Sequence, residues 1–390
     1  VVGGNERVVR PRLADAKFFF DQDRKKTLES RVPQLTKVVY HGKLGSQGER
    51  VERVRTIARA LAESLARAGR SPWDKDSTDL VDLSDRAAKL AKADLLTDMV
   101  GEFPELQGVM GRYYAIHDGE DKLVAQAIED HYKPRFSGDE LARSDVGLVV
   151  ALADKLETLV GLFGIGQLPT GDKDPFALRR HALGVIRMLG EARLPLALDQ
   201  AIRCSAEAFG GIQGFSAARA VVELEDFFVD RIAVQSRERG YTAQEVDAVL
   251  ALKPQRIDDI VCRLEAVQAF AALPEAPALA AANKRVSNIL KKSADEPAGE
   301  VQIDLMQDPA EHRFLAALQR VAALANAAYD RGDYAASLQA LAVLKEPVDA
   351  FFDSVMVNAE DLAVRRNRLS LLAALHRAMN RVADLSRLAA

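Results

Sequence analysis

His117 and Asp118 are neighbours, and Asp154 follows on a stretch with helical periodicity. An imidazole and two carboxylates brought together from different helices suit a divalent cation, so these three residues are the candidate metal ligands. The other histidines, at 41, 131, 181, 312 and 376, are scattered and lack the His-Glu-x-x-His spacing that puts two imidazoles on one helix face. The run from Gly164-Ile165-Gly166 to Gly171-Asp172-Lys173 carries the glycines of a phosphate-binding loop. Such a loop needs a strand before it and a lysine directly after its last glycine; here a helical pattern precedes and Asp172 intervenes. A tight turn between two helices, with glycine at positive φ, accounts for the run. Cys204 and Cys262 stand alone in helical patterns, which argues against a disulfide framework or a thiolate metal site.

The elements that must position these groups are helices. Apolar residues recur at spacings of three and four: Val51, Val54, Ile57, Ala58, Leu61 and Leu65 mark one buried face, and Gly69 and Pro72 end that helix. Comparable stretches run over 80–100, 146–162, 175–189, 217–237, 243–252, 256–272, 310–329 and 365–388. Asp174 before Pro175 predicts a capped start with proline at the first helical position, and Thr242 with Glu245 has capping-box spacing. The strand-like runs at 37–40 and 301–305 are too brief for a sheet of any size. The fold class is therefore all-α. At 390 residues the chain exceeds what one core usually serves. Joints read at 70–77, 271–282 and 291–299, and we place domain edges so that the helical domains span 1–75, 76–195, 196–280 and 281–390. No internal repeat of fixed period is present.

The net charge of −4 is unevenly spread. Residues 1–75 hold 17 Lys and Arg against 9 Asp and Glu, residues 281–390 hold 14 against 14, and the acidic excess lies between them. A polyanion therefore favours the ends, where clustered cations displace counterions. The plain alternative for any one cluster is a solvated helix face. No apolar run of ~18 or more residues and no signal peptide occur, so a cytoplasmic protein that spans no membrane is expected. The start at Val1-Val2-Gly3-Gly4, without methionine, suggests a piece of a longer polypeptide.

His117-Asp118 with the later Asp154 resembles the HD superfamily of metal-dependent phosphohydrolases. In that family an upstream histidine, a His-Asp pair and a later aspartate converge on a divalent cation. No histidine lies between Gly42 and Ile116; Asp94 and Asp98 occupy that region. The resemblance thus implies an HD-like helical domain that has lost its metal chemistry, with His117 and Asp118 capping or cross-linking helices. The rival reading is a working phosphohydrolase that uses His117, Asp118 and Asp154.

Longer strings resemble a second family, the β subunit of the bacterial two-subunit glycyl-tRNA synthetase. They begin with Arg10-Pro11-Arg12-Leu13 through Phe18-Phe19-Phe20 and Lys43-Leu44-Gly45-Ser46. They continue with Lys92-Ala93-Asp94 through Leu106-Gln107-Gly108, Ile116 through Glu120, and Gly171-Asp172-Lys173-Asp174-Pro175-Phe176 through Arg180. Ala282-Asn283-Lys284-Arg285 through Leu290, Val355 through Asp361, and Arg366-Asn367-Arg368-Leu369 complete the match, which spans nearly the whole chain. The resemblance implies that a separate α subunit activates glycine with ATP and Mg, met through an N-terminal part of the β subunit that this chain does not cover. This chain would bind tRNA(Gly), hold no cofactor itself, carry no catalytic residue and take neither DNA nor a membrane as partner. Consistently, no His-Ile-Gly-His or Lys-Met-Ser-Lys-Ser signature is present.

By the same resemblance, 281–390 is a helical anticodon-binding domain of the kind found at the C-terminus of arginyl-tRNA synthetase. Anticodon bases are unstacked, so their edges can be hydrogen-bonded and their faces stacked on planar groups. Arg365, Arg366 and Arg368 offer guanidinium groups for phosphate or stacking, and Asn367 offers an amide for a base edge; the plain alternative is that Asn367 and Arg368 cap and salt-bridge helices. Lys284, Arg285, Lys291 and Lys292 are candidates for the flanking backbone. In the middle region Lys133, Arg135, Arg179, Arg180 and His181 are the groups expected to meet an acceptor stem. Arg7, Arg10, Arg12, Arg24, Lys25 and Lys26 are open to two readings, contact with RNA or packing on other domains.

Overall fold

The computed structural model describes residues 2–68, 80–171, 173–293, 296–297 and 299–389, with side chains from Arg12 onward. Gly69 and Pro72, the joint at 70–77, Asp172, the side chains of Arg7 and Arg10, and residues 294, 295 and 298 of the last joint lie outside it. Among the described residues the chain is helical except for one antiparallel hairpin, β1 (Val39–His41) and β2 (Gly45–Ser46), and isolated bridges. Two compact units form, one of residues 1–231 with 255–257, the other of 232–254 with 258–390.

The first unit contains α1 (Val2–Asp23), α2 (Leu28–Arg31), α3 (Gln47–Arg67), α4 (Leu80–Leu90), α5 (Asp98–Glu102), α6 (Val109–Asp118) and α7 (Lys122–Asp130). It continues through α8 (Asp145–Gly164), α9 (Leu178–Glu191), α10 (Leu198–Glu207) and most of α11 (Ala217–Glu238). The α8 helix is buried along its whole length, its charged Asp154, Lys155 and Glu157 included, so it stands at the centre of a bundle. Around it pack α3, α4, α7, α9 and α10. A capping box between Ser46 and Glu49 starts α3, and the stripe from Val51 to Leu65 is buried as its spacing predicts. Because α3 packs on both α4 and α8, the segments expected as separate domains at 1–75 and 76–195 share one core.

The turn after α8 is tight because aromatic rings lie against the helix end. Phe209 and Phe215 stack at 4.8 Å, and a Cβ built on Gly164 would stand 2.0 Å from the Phe215 ring. The expected start of α9 at Pro175 is corrected to Leu178. Residues 174–177 form a turn in which Ala177 takes φ +54°, yet Asp174 still caps the helix by accepting from the backbone N–H of Leu178 (2.8 Å) and Arg179 (2.9 Å).

The second unit contains α12 (Ala243–Leu250), α13 (Ile257–Ala271), α14 (Ala276–Lys292), α15 (Pro309–Asp330), α16 (Tyr334–Ala340), α17 (Lys345–Ser354) and α18 (Leu362–Met379). The capping box expected at Thr242 and Glu245 opens α12, and a second one, Asp308 with Glu311, opens α15. The core gathers Phe314 and Phe351, 5.2 Å apart, with Leu318, Val348, Leu372 and Leu375. The expected domain 196–280 is divided, since α10 belongs to the first unit and α12 to the second. Within the strand-like 301–305, Ile303–Leu305 forms a 3-10 turn. Cys204 and Cys262 are not joined in a disulfide.

Candidate nucleic-acid interface

The α14 helix buries Leu279, Ala280, Asn283 and Val286 and leaves Lys284, Arg285, Asn288, Lys291 and Lys292 exposed. Residues three and four apart share a helix face, so the sequence had to place these polar groups together. A groove of about 500 Å³ runs beside them, lined by Lys284, Arg285, Asn288 and Lys292 and, from the loop between α17 and α18, by Asn358. The Arg285 guanidinium lies 4.1 Å from the centroid of the Phe352 ring on α17. Planar cation on aromatic face is an arrangement that fixes the guanidinium while leaving its outer face open. Lys291 and Lys292 also occupy the last turn of α14, where cations complement the helix dipole.

Two of the candidates on α18 are turned inward. Asn367 is buried; its Oδ1 accepts from the Gln302 N–H at 2.7 Å and its Nδ2 donates to the Gln302 carbonyl at 2.9 Å. Arg368 is also buried, donating from Nε to Glu311 Oε1 (2.9 Å) and from Nη1 to the Met356 carbonyl (2.8 Å). The expected base-edge amide and stacking guanidinium are thus consumed inside the bundle, because the apolar face of α18 carries these two positions into the core. Arg365 is half-buried and donates to the Ala359 carbonyl at 3.0 Å. Arg366 is exposed.

In the first unit, the three candidate metal ligands do not converge. Asp118 Oδ2 accepts from the Leu28 N–H at 2.7 Å and so ties α6 to the start of α2; His117 Nδ1 faces the Arg24 guanidinium at 3.1 Å. Asp154 instead meets Arg50 Nη2 at 3.0 Å and Lys92 Nζ at 3.2 Å. No group of three potential ligand side chains is assembled among the described residues. Asp94, in the region of the missing upstream histidine, caps α6 by accepting from Gly108 N (2.6 Å) and Gly111 N (3.2 Å).

What occupies the centre is an ionic cluster. Arg50 Nε meets Glu157 at 3.0 Å, Arg53 Nε meets it at 2.9 Å, and Lys92 Nζ lies 2.7 Å from His131 Nε2 and 4.1 Å from the Tyr132 ring centroid. His131 Nδ1 is 2.7 Å from the Ile128 carbonyl and must donate there, so Nε2 accepts from the ammonium. Burial, reinforced by Lys92, holds the His131 ring well below its ordinary pKa. Burial pushes the Lys92 ammonium down to about 8 against the pull of Asp154. Burial alone would raise the Asp154 carboxyl, but Arg50 and then Lys92 hold it well below the usual carboxylate range.

Of the other candidates in this unit, Lys133 pairs with Asp130 at 3.4 Å and Glu140 at 3.5 Å, and Arg179 donates to the Gly171 carbonyl at 2.5 Å, closing the turn before α9. Arg135 and Arg180 are exposed, the former 5.6 Å from the Tyr132 ring centroid. Sequence reasoning missed Asn288, Asn358 and Phe352. Asn288 was within reach, three and four residues from Arg285 and Lys284; Asn358 reaches the groove, and Phe352 the Arg285 guanidinium, by tertiary packing alone.

These features define a helical protein of two bundles, the second presenting a cation-lined groove beside an arginine stacked on an aromatic ring. The family pattern described as glycyl-tRNA synthetase beta subunit matches residues 1–251, and the DALR anticodon binding domain matches 279–385. The chain belongs to the glycyl-tRNA synthetase beta subunit family. It is 66% identical over 390 residues to the glycine-tRNA ligase beta subunit of Paracidovorax citrulli (strain AAC00-1), covering all of this chain and 53% of that protein. The same name belongs to relatives from Janthinobacterium sp. (strain Marseille), 64% identical over 390 residues with 53% of the relative covered, and Acidovorax sp. (strain JS42), 65% over 398 residues with 54% covered. The chain thus spans about half the length of the curated relatives it matches.

Proposed function

We propose that this chain is the tRNA-binding part of a two-subunit glycine-tRNA ligase, recognising tRNA(Gly) through its anticodon with the second unit. A separate α subunit activates glycine with ATP and Mg, and the chain works in the cytoplasm. The observation that carries the reading is the exposed cation row of α14, Lys284, Arg285, Lys291 and Lys292, beside a groove of about 500 Å³. Clustered cations gain affinity for phosphate by releasing counterions, and polar groups in a groove suit the unpaired bases of a loop. Arg366 extends the set from α18. Arg135 and Arg180 supply discrete contacts for the acceptor stem, with Lys133 and Arg179 holding the turns that carry them.

A fluorescence-anisotropy titration with tRNA(Gly) and an anticodon-altered control, at several salt concentrations, tests this reading. Tighter binding of the cognate RNA, weakening as salt rises, is the expected result. Equal binding of both RNAs, or none, would remove anticodon recognition from this unit.

A further inference from the structure

The loop between α17 and α18 is built to display two side chains. Val355 and Val357 point inward and are buried, while Met356 and Asn358 are exposed. Buried Arg368 pins this loop by donating to the Met356 carbonyl at 2.8 Å while held by Glu311 at 2.9 Å, and Arg365 donates to the Ala359 carbonyl at 3.0 Å. The loop bends at Val357 and Asn358, the Ala359 N–H donating to the Val357 carbonyl at 2.9 Å, and this tight turn, clamped at the Met356 and Ala359 carbonyls, holds Asn358 outward. Asn358 thereby becomes a wall of the same groove that Arg285 and Asn288 line on α14. Behind Arg285 stands the Phe352 ring, 4.1 Å away.

We propose that this groove is a base-reading site for one unpaired RNA base, and that Arg368 is the residue that positions its reading loop. The inference rests on the reading that this unit binds tRNA. The base stacks on the outer face of Arg285, whose inner face Phe352 supports, and presents its edge to the amides of Asn288 and Asn358. A carboxamide offers both a donor and an acceptor, which is what a base edge requires. Lys284 and Lys292, on either side along the helix, meet the adjoining phosphates. A base stacks on the flat face of the Arg285 guanidinium, whereas a phosphate would meet its edge N–H groups.

Anisotropy titrations of this chain with tRNA(Gly), and with tRNAs in which each anticodon base is replaced in turn, test the proposal. Arg285→Ala and Asn358→Ala are each expected to weaken the cognate complex roughly five- to a hundredfold. One base replacement that weakens wild-type binding is expected to have no further effect in these variants. Arg285→Lys, which keeps the charge and loses the plane, is expected to behave like Arg285→Ala. Lys291→Ala provides the contrast, weakening every RNA alike and lowering the salt slope by about one. Arg368→Lys keeps a charge against Glu311 but lacks the fork that also reaches Met356. It is expected to lose discrimination at that same base with an unchanged salt slope, circular dichroism verifying the fold. If Arg285→Ala and Asn358→Ala bind all the RNAs as wild type does, or weaken all of them equally, the base site is overturned while RNA binding stands. If wild type binds no tRNA, the broader reading falls and the base site with it.

Discussion

Lys92 places its ammonium 3.2 Å from the Asp154 carboxylate, so a lysine supplies the cation beside the aspartate that sequence reasoning offered to a metal. Arg50 approaches the same carboxylate at 3.0 Å, and both partners are almost fully buried. Removing one member of a buried pair leaves uncompensated charge.

Asp154→Ala leaves the buried Lys92 ammonium without its carboxylate, while Arg50 keeps Glu157, and is expected to destabilise the first unit by about 3–5 kcal/mol. Lys92→Met removes a charge that burial already penalises and leaves Asp154 with Arg50, so its cost is expected to be smaller. Urea unfolding followed by circular dichroism ranks the two. A Lys92→Met loss equal to that of Asp154→Ala would contradict the account.

Burial and then Lys155 push the His181 ring down to about 4, from an ordinary value of 6.5. Between these values the unfolded state binds more protons than the folded one, so stability rises with pH across the window and is lost on acidification. His131, depressed by burial and Lys92, acts with the same sign. Between about pH 7 and about pH 4.5, wild type is expected to lose more stability than His181→Asn, by at most about 3 kcal/mol since the ring is half-buried. Parallel loss in the two proteins would show that His181 titrates normally.

Gly164→Ala drives a methyl to 2.0 Å from the Phe215 ring, in a helix buried on every side. Overpacking of this kind costs about 1–3 kcal/mol. A lower melting temperature in Gly164→Ala, and no comparable drop in Gly101→Ala, where nothing lies within 4 Å of the added carbon, is the expected pattern.

Asn367→Ala removes two hydrogen bonds to the Gln302 backbone, whose carbonyl keeps only the Leu305 N–H at 3.3 Å, and is expected to cost about 1–3 kcal/mol in stability. Exposed Arg366→Ala is expected to leave the melting temperature unchanged and to weaken RNA binding. Thermal melts beside RNA titrations separate the two residues; the opposite pattern would return Asn367 to the interface.

Helix positions, caps and buried stripes were legible because they obey local rules. The Val51 to Leu65 stripe and the Thr242-Glu245 box need only spacing along one chain. The start of α9 was misplaced because the left-handed turn at Ala177 interrupts a start that Asp174-Pro175 satisfies locally. Lys284, Arg285, Lys291 and Lys292 were legible as a cation row for the same local reason. For Asn367 and Arg368 the sequence left RNA contact and helix cross-linking both open, because it gives their chemistry but not which side of α18 the neighbouring helices cover.

By itself the sequence determined an all-helical chain, its family, the turn glycines and the cationic face of α14, since each rests on local spacing or on long strings of residues read in order along the chain. Tertiary structure alone decided that Lys92 and Arg50 hold Asp154, that Glu311 and Arg368 meet across the second bundle, and that Asn358 stands at the α14 groove and Phe352 against Arg285. The physical reason is that charge pairing and groove formation depend on distances between residues far apart in the chain, which only packing of the helices fixes.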